Sequence, residues 1–178
     1  MIYLVGSVET IPSNNYKLAT IYDVLEYCKD KSVLGVDTET EGFDFTCKKM
    51  IMFQIGDDQK QFVIDTRIVS IEPLRNILEN KNIIKIFHNA KFDYKFIRKW
   101  SNISCEGIYD TFLVERVLNC GKDKVGYGLK DVCKKYLNVE LNKDVRNQFI
   151  GLTGQPFRDD QIVYGAKDVE YLIKIRTH

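Results

Sequence analysis

The chain has 178 residues, which is enough for one hydrophobic core and short for two independently folding domains. Hydrophobic residues make up 44% and charged residues 29%, as is typical of a soluble globular domain. The formal net charge of +1 excludes a general polycation, so a nucleic-acid partner would have to be held by a local basic patch or by metal ions.

The first half of the chain predicts four strands and one helix. Short apolar runs at 1–5, 33–36, 50–56 and 61–65 are typical of strands. A helix is predicted at 18–29, where apolar residues recur at helical spacing, and a loop is predicted at 11–15. The last two strands are joined by a short turn, which favours antiparallel pairing.

The second half alternates strands and helices. Pro73 lies at the start of a short helix, a strand follows at 83–87, and Asn89 is placed to cap the next helix. The predicted core face of that helix repeats every four residues: Phe92, Phe96 and Trp100. The remaining predicted elements are a strand at 105–109, a helix capped by Asp110, a polar loop at 119–124, and helices at 129–137 and 158–176.

Two acidic residues, Asp37 and Glu39, end the apolar strand at 33–36. Residues two apart in a strand share a face, so these carboxylates are predicted to lie side by side. At a buried strand end such a pair requires a cation, and Mg²⁺ and Mn²⁺ take oxygen ligands of this kind. A solvated strand end is the alternative, and the short pattern alone does not decide between the two.

Three further residues are candidates for the same site. Asp93 lies about one turn into the helix after the strand at 83–87, where stabilisation of the helix dipole is the alternative role. Tyr164 and Asp168 share a helix face, and a buried hydrogen bond between them is the alternative. In an open α/β sheet these positions can converge at one edge, and two divalent cations would neutralise four carboxylates there.

Three motifs together resemble those of a known superfamily: Asp37-Thr38-Glu39, His88-Asn89-Ala90-Lys91-Phe92-Asp93 and Tyr164-Gly165-Ala166-Lys167-Asp168. They are similar to the three exonuclease motifs of the DEDD superfamily. The tyrosine four residues before the last aspartate is typical of its tyrosine branch, which includes ribonuclease D and the proofreading domains of family A DNA polymerases. The segments at 110–111, 128–131 and 134–137 also resemble that branch, so the likeness extends over residues 34–175.

The resemblance implies a ribonuclease H-like α/β fold. Its central mixed sheet would have about five strands, three antiparallel and the rest parallel, flanked by helices. Residues 1–178 would form a single 3′–5′ exonuclease domain, either complete or a fragment of a longer polymerase chain.

The resemblance also implies roles for the candidate residues. Asp37, Glu39 and Asp168 would hold a first metal ion that carries the nucleophilic water, and Asp37 and Asp93 would hold a second ion beside the leaving oxygen, with Mg²⁺ or Mn²⁺ as the cofactor. Tyr164 would orient the attacking water, because an unperturbed tyrosine with a pKa of about 10 is a poor general base at neutral pH. The residues implied to contact the terminal nucleotide are Thr40, Phe43, His88, Asn89 and Phe92. Core packing remains open for Phe43, and a structural role remains open for His88.

The expected activity is metal-dependent hydrolysis of phosphodiester bonds from the 3′ end of a single strand, which releases nucleoside 5′-monophosphates. DNA is the preferred substrate, because the motifs resemble proofreading domains and the chain ends soon after the third motif. A polymerase domain or other replication proteins are then the expected partners. A ribonuclease D-like enzyme that trims RNA is the alternative, and a catalytically inactive nucleic-acid-binding module is a further one.

Cysteine usage bears on the compartment. The chain has an odd number of cysteines at wide spacings and no C-x-x-C pair, which argues against a disulfide framework and against a zinc site. We therefore expect a reducing, cytoplasmic compartment, and a bacterial or viral replication context would suit it. No apolar run approaches the length of a membrane span, so no membrane partner is expected.

Overall fold

The computed structural model describes residues 1–6, 13–120, 122, 126–141, 144–152 and 154–177. The loops predicted at 11–15 and 119–124 lie partly outside these described residues. Within the described ranges, none of the helices combines the length and the apolar character needed to cross a bilayer.

The described residues form one mixed sheet of seven strands. These are β1 (Ile2–Val5), β2 (Lys17–Leu18), β3 (Val33–Thr40), β4 (Met50–Gly56), β5 (Gln61–Asp65), β6 (Ile84–Phe87) and β7 (Ile108–Asp110). Their order across the sheet is β2-β1-β5-β4-β3-β6-β7. Pairing is antiparallel between β3 and β4 and between β4 and β5, and parallel at the other four contacts.

The predicted α/β class and mixed sheet are confirmed, but the sheet is wider than the five strands predicted. Both of its edges end in a very short strand, β2 with two residues and β7 with three. Edge strands are often this short. Two or three residues are too few to show an alternating pattern, so the sequence alone gives little sign of them.

Helices cover both faces of the sheet. The described helices are α1 (Ile21–Cys28), α2 (Arg75–Leu78), α3 (Ala90–Ser101), α4 (Thr111–Leu118), α5 (Leu129–Leu137), α6 (Asp144–Asn147) and α7 (Asp159–Arg176). A 3₁₀ turn at Glu72–Leu74 leads into α2. The first three helices pack on one face of the sheet, and α7 packs on the other, where α4, α5 and α6 contact it.

Helix α1 is shorter than the predicted segment at 18–29. Leu18 belongs to β2, and Thr20 caps the helix. The Thr20 hydroxyl accepts a hydrogen bond from the Asp23 backbone N–H, and the Asp23 carboxylate accepts one from the Thr20 backbone N–H at 2.7 Å. This reciprocal capping box fixes where the helix begins.

The predicted core face of α3 is correct at its centre and wrong at its end. Phe96 is buried and Phe92 is half-buried, but Trp100 is 40% exposed. Its indole Nε1 donates a hydrogen bond to the Lys48 carbonyl at 2.9 Å. Each step of four residues rotates about 40° around a helix, so a third aromatic at this spacing lies about 80° from the first.

Two glycines allow α7 to lie close to the sheet. A Cβ atom at Gly35 in β3 would lie 2.8 Å from the backbone oxygen of Val169 in α7. A Cβ atom at Gly165 in α7 would lie 2.6 Å from the Nε2 atom of Gln54 in β4. Neither position has room for a side chain without movement, so the glycines set the distance of α7, and therefore of Asp168, from β3.

Lys85 of β6 is a fully buried cation at the end of α2. Its Nζ donates hydrogen bonds to the carbonyl oxygens of Ile77 at 3.3 Å and Asn80 at 2.6 Å. The first carbonyl belongs to the last turn of α2 and the second lies just beyond the helix, at an end where a cation is favoured. Burial nevertheless lowers the pKa of Lys85 to about 8, because desolvation disfavours the charged form.

Replacing Lys85 with methionine should remove a pH-dependent part of the stability. The pKa of Lys85 in the folded state lies below its value in the unfolded state. Below pH 8 the native state therefore holds a buried charge, which costs free energy. As pH rises from about 8 toward 10.5, the native state loses that charge and gains stability relative to the unfolded state. Between pH 7.5 and 9.5 the wild-type free energy of unfolding should therefore rise by about 2 kcal/mol relative to Lys85→Met. Urea unfolding at both pH values measures this difference. The exposed Lys81→Met variant should keep the wild-type profile, and a constant difference between wild type and Lys85→Met would contradict the expectation.

Candidate active site

Three carboxylates from β3 and α7 converge at the carboxyl end of β3. Asp37 and Glu39 are two residues apart in β3, so both side chains point to the sheet face that α7 covers. Asp168 lies on α7 and faces them. One oxygen from each carboxylate lies within 4.8 Å of the other two. Glu39 and Asp168 are only 7% and 3% exposed. Carboxylates this close repel one another, and an all-oxygen donor set fits a hard divalent ion such as Mg²⁺ or Mn²⁺.

Asp93 contacts the same end of β3 through a residue on the other side of the sheet. Thr38 lies between the two acids of β3, so its side chain faces the other side of the sheet. Its Oγ1 donates a 2.6 Å hydrogen bond to Asp93 Oδ1. Burial, together with the charge of Asp37, raises the pKa of Asp93 well above the usual value for an aspartate. Asp93 therefore lies beside the three-carboxylate group and is not a member of it.

One cleft of about 380 Å³ joins these side chains. All five residues predicted to be catalytic line it: Asp37, Glu39, Asp93, Tyr164 and Asp168. The Tyr164 ring also packs against Phe149, with ring centroids 6.2 Å apart. The fold thus brings to one place acids and a tyrosine that are up to 131 positions apart in the chain (37 to 168).

Four of the five residues predicted to contact the terminal nucleotide line the same cleft: Phe43, His88, Asn89 and Phe92. Phe43 is 69% exposed, which excludes the core-packing alternative, and its ring centroid lies 6.4 Å from that of Phe92. Thr40 does not line this cleft. It lines a small adjoining pocket, and its hydroxyl donates a 2.7 Å hydrogen bond to the Gly42 carbonyl.

Asp110 holds the starts of two helices at the cleft. Asn89 occupies the N-cap position of α3 as predicted, but its side chain makes no capping hydrogen bond. The Asp110 carboxylate instead accepts from the backbone N–H groups of Asn89 at 3.0 Å and Ala90 at 2.9 Å. It also caps α4 as predicted, through the N–H groups of Phe112 at 2.9 Å and Leu113 at 3.4 Å.

His88 has both a structural contact and a place in the cleft. Its Nδ1 lies 3.0 Å from Thr111 Oγ1, within hydrogen-bond distance, and Thr111 Oγ1 also lies 3.0 Å from the Phe87 carbonyl oxygen. His88 lines the cleft beside these contacts. Both of the interpretations left open for His88 are therefore compatible with its position.

Part of the cleft lining was not predicted. The additional lining residues from α4, α5 and the nearby loops include Phe112, Gly128, Leu129, Lys130 and Leu141. The segments at 110–111 and 128–131 carried a resemblance to the tyrosine branch but no predicted role. That local likeness pointed to Gly128, Leu129 and Lys130, whereas Phe112 and Leu141 lie outside the two segments.

A family model described as 3′–5′ exonuclease matches residues 12–178. The chain belongs to the 3′–5′ exonuclease family. This confirms the predicted DEDD-type family for the exonuclease domain.

Curated relatives of this exonuclease domain are longer proteins. Ribonuclease D of Haemophilus influenzae is 28% identical over 158 residues, which cover 87% of this chain and 38% of that protein. Exosome complex component 10 of Homo sapiens is 26% identical over 178 residues, which cover 97% of this chain and 18% of that protein. The chain therefore spans well under half the length of these relatives.

Solved structures share the fold of the exonuclease domain. Escherichia coli RNase D, described as an exoribonuclease involved in structured RNA processing, matches with a TM-score of 0.79 at 20% identity over 98% of this chain and 43% of that one. The catalytic core of RRP6 from Trypanosoma brucei matches at 0.81 and 18% identity, over 99% and 45%. Brucella melitensis NrnC with bound Mg²⁺ matches at 0.73 and 20% identity, over 99% and 77%.

Proposed function

We propose that this chain is the catalytic domain of a divalent-metal-dependent 3′→5′ exonuclease that trims RNA. The convergence of Asp37, Glu39 and Asp168 within 4.8 Å is the observation that carries the proposal. Relatives and fold neighbours named as ribonucleases support RNA over the DNA substrate expected from the motifs. DNA proofreading, with polymerase or replication partners, has no such support, and the cytoplasmic location stays a prediction.

In this proposal the acids hold two divalent ions. Asp37, Glu39 and Asp168 would hold one, and Asp93 together with Asp37 would hold the other. When bound, such ions supply Lewis-acid stabilisation of the charge that develops on the phosphoryl oxygens. The residues also orient one another: the Thr38 hydroxyl holds Asp93 Oδ1 at 2.6 Å, which keeps that carboxylate beside Asp37.

The remaining residues bind and orient the substrate. Tyr164, one helical turn before Asp168, positions the attacking water by a hydrogen bond from its phenol, whose ring is packed against Phe149. The exposed Phe43 ring offers a stacking surface to the terminal base, and Asn89 supplies polar contacts. Thr40 acts indirectly, because its bond to the Gly42 carbonyl shapes the turn that carries Phe43.

The test is a matched degradation assay. The purified chain receives two 5′-labelled single strands of the same sequence, one RNA and one DNA, with Mg²⁺, Mn²⁺ or chelator. We expect a metal-dependent ladder that shortens from the 3′ end, faster on RNA, with nucleoside 5′-monophosphates as products. A faster ladder on DNA would favour the DNA alternative. Binding without cleavage under either metal would leave the inactive binding module and overturn the proposal.

A further inference from the structure

Aromatic and cationic side chains extend from the cleft onto the surface beside α4. Phe112, which lines the cleft, has its ring centroid 5.8 Å from that of His88 and 6.2 Å from that of Tyr127. The guanidinium carbon of Arg116 lies 5.9 Å from the Phe112 centroid and 5.3 Å from the Tyr127 centroid. Phe112, Tyr127 and Arg116 are called the α4 row below.

The α4 row does not contribute to the hydrophobic core. Phe112 and Tyr127 are only half-buried, and among the described residues neither belongs to any of the three core clusters. The Tyr127 hydroxyl donates to the Lys122 carbonyl at 2.6 Å, which fixes the ring. Arg116 is exposed, and no carboxylate of a described residue lies within 4.0 Å of its guanidinium. The row therefore combines oriented ring faces with a positive charge at the surface.

The α4 row lies where a nucleic-acid strand bound at the carboxylates could continue away from them. Phe43 and Phe92 form a separate aromatic part of the cleft lining, beside Asn89. A single strand whose last phosphodiester lies at the acids needs a second contact region for the nucleotides before it. Proteins that bind single strands combine basic side chains with aromatic rings on which bases stack, and arginine adds cation–π contacts.

Building on the proposed function, we propose that the α4 row binds the nucleotides upstream of the scissile bond. Phe112 and Tyr127 offer ring faces to upstream bases, and Arg116 pairs with a phosphate between them. Lys130 of α5, exposed and also lining the cleft, adds positive charge beside the row. The terminal nucleotide remains with Phe43 and Asn89.

The experiment measures binding separately from cleavage. The probes are 5′-fluorescein-labelled oligoadenylates of two to six nucleotides, titrated in Ca²⁺ or chelator and followed by fluorescence anisotropy at several salt concentrations. Wild-type affinity should rise with length beyond two nucleotides. Phe112→Leu should weaken binding of the longer probes about tenfold, since stacking on an aromatic ring is worth roughly fivefold to more than a hundredfold in affinity per base.

Arg116→Gln gives an independent signature. Loss of one phosphate contact should reduce the slope of log affinity against log salt by about 0.7, whereas Phe112→Leu should leave that slope unchanged. A general structural defect would not separate the two variants in this way. Val117→Ala, an exposed position on the same helix, is the matched control and should bind every probe as wild type does.

Each result has a distinct meaning. Wild-type affinity that does not rise with length, or long-probe affinity unchanged in both α4-row variants, would overturn this inference even if the protein cleaves RNA. Length-dependent binding that is lost in the variants, in a protein that never cleaves, would support the row and overturn the proposed activity. A wild-type protein that neither binds nor cleaves would overturn both.

Discussion

Asp37→Asn is expected to lower the rate of RNA cleavage by about 10³-fold or more while the fold remains intact. The substitution removes the carboxylate that lies both in the three-carboxylate group and beside Asp93. Lewis-acid stabilisation is worth several kcal/mol, and each 1.36 kcal/mol is tenfold in rate. In chelator the variant should unfold at a temperature equal to or above that of wild type, because one of several crowded negative charges is gone.

Thermal unfolding with and without Mn²⁺ tests this mechanism without relying on cleavage. Wild type should gain stability as Mn²⁺ is added, since a ligand that binds only the native state stabilises it, and Asp37→Asn should gain much less. Asp58→Asn, the same change at an exposed turn position, should behave as wild type in both assays. A stable Asp37→Asn protein that cleaves RNA at the wild-type rate would disprove the assigned role.

Gly35→Ala should weaken both the fold and the proposed metal site, although Gly35 is not among the residues that line the cleft. Its new Cβ would lie 2.8 Å from the backbone oxygen of Val169, so the added methyl can be accommodated only if α7 moves relative to β3. Overpacking of this kind costs about 1–3 kcal/mol of unfolding free energy. Because α7 carries Asp168, the same movement separates that carboxylate from Asp37 and Glu39, and Mn²⁺ affinity should fall.

Two further glycine-to-alanine variants should have smaller effects than Gly35→Ala. Gly165→Ala should be milder, because the nearest atom to its Cβ is the amide nitrogen at the end of the Gln54 side chain, which can move more easily than a backbone oxygen. Gly6→Ala is the control, since its nearest neighbour is the Cβ of Asp65 at 3.5 Å, an ordinary contact. Unfolding temperature and Mn²⁺ titration measure both consequences. Wild-type Mn²⁺ affinity in a folded Gly35→Ala protein would refute the link between helix position and the metal site.

The pattern around β3 could be predicted from sequence because it is local. Two acids two residues apart at the end of an apolar run must share a face of a strand, and the structure shows that they do. The position of Asp93 is not local in this sense. Its carboxylate bonds to Thr38, 55 residues earlier in the chain, and only the packing of α3 against the sheet brings the two together.

Competition between distant groups explains the errors. Asn89 is a favourable capping residue by type. The carboxylate of Asp110, however, accepts the hydrogen bonds from the backbone N–H groups at the start of α3. Trp100 continues an apolar repeat, yet its indole N–H donates a hydrogen bond to the Lys48 carbonyl at the surface. The cleft lining from α4 and α5 was missed for a related reason, since those residues become neighbours of the acids only through tertiary packing.

The shared cap at Asp110 has a consequence for the shape of the substrate. One carboxylate holds the start of α3, which leads to Asp93, and the start of α4, which carries Phe112. The two helix starts cannot move apart without breaking hydrogen bonds to this one side chain, which resists widening of the gap between them. For the proposed nuclease, we expect an unpaired 3′ end to enter this gap more readily than a paired one, because a duplex is the thicker of the two.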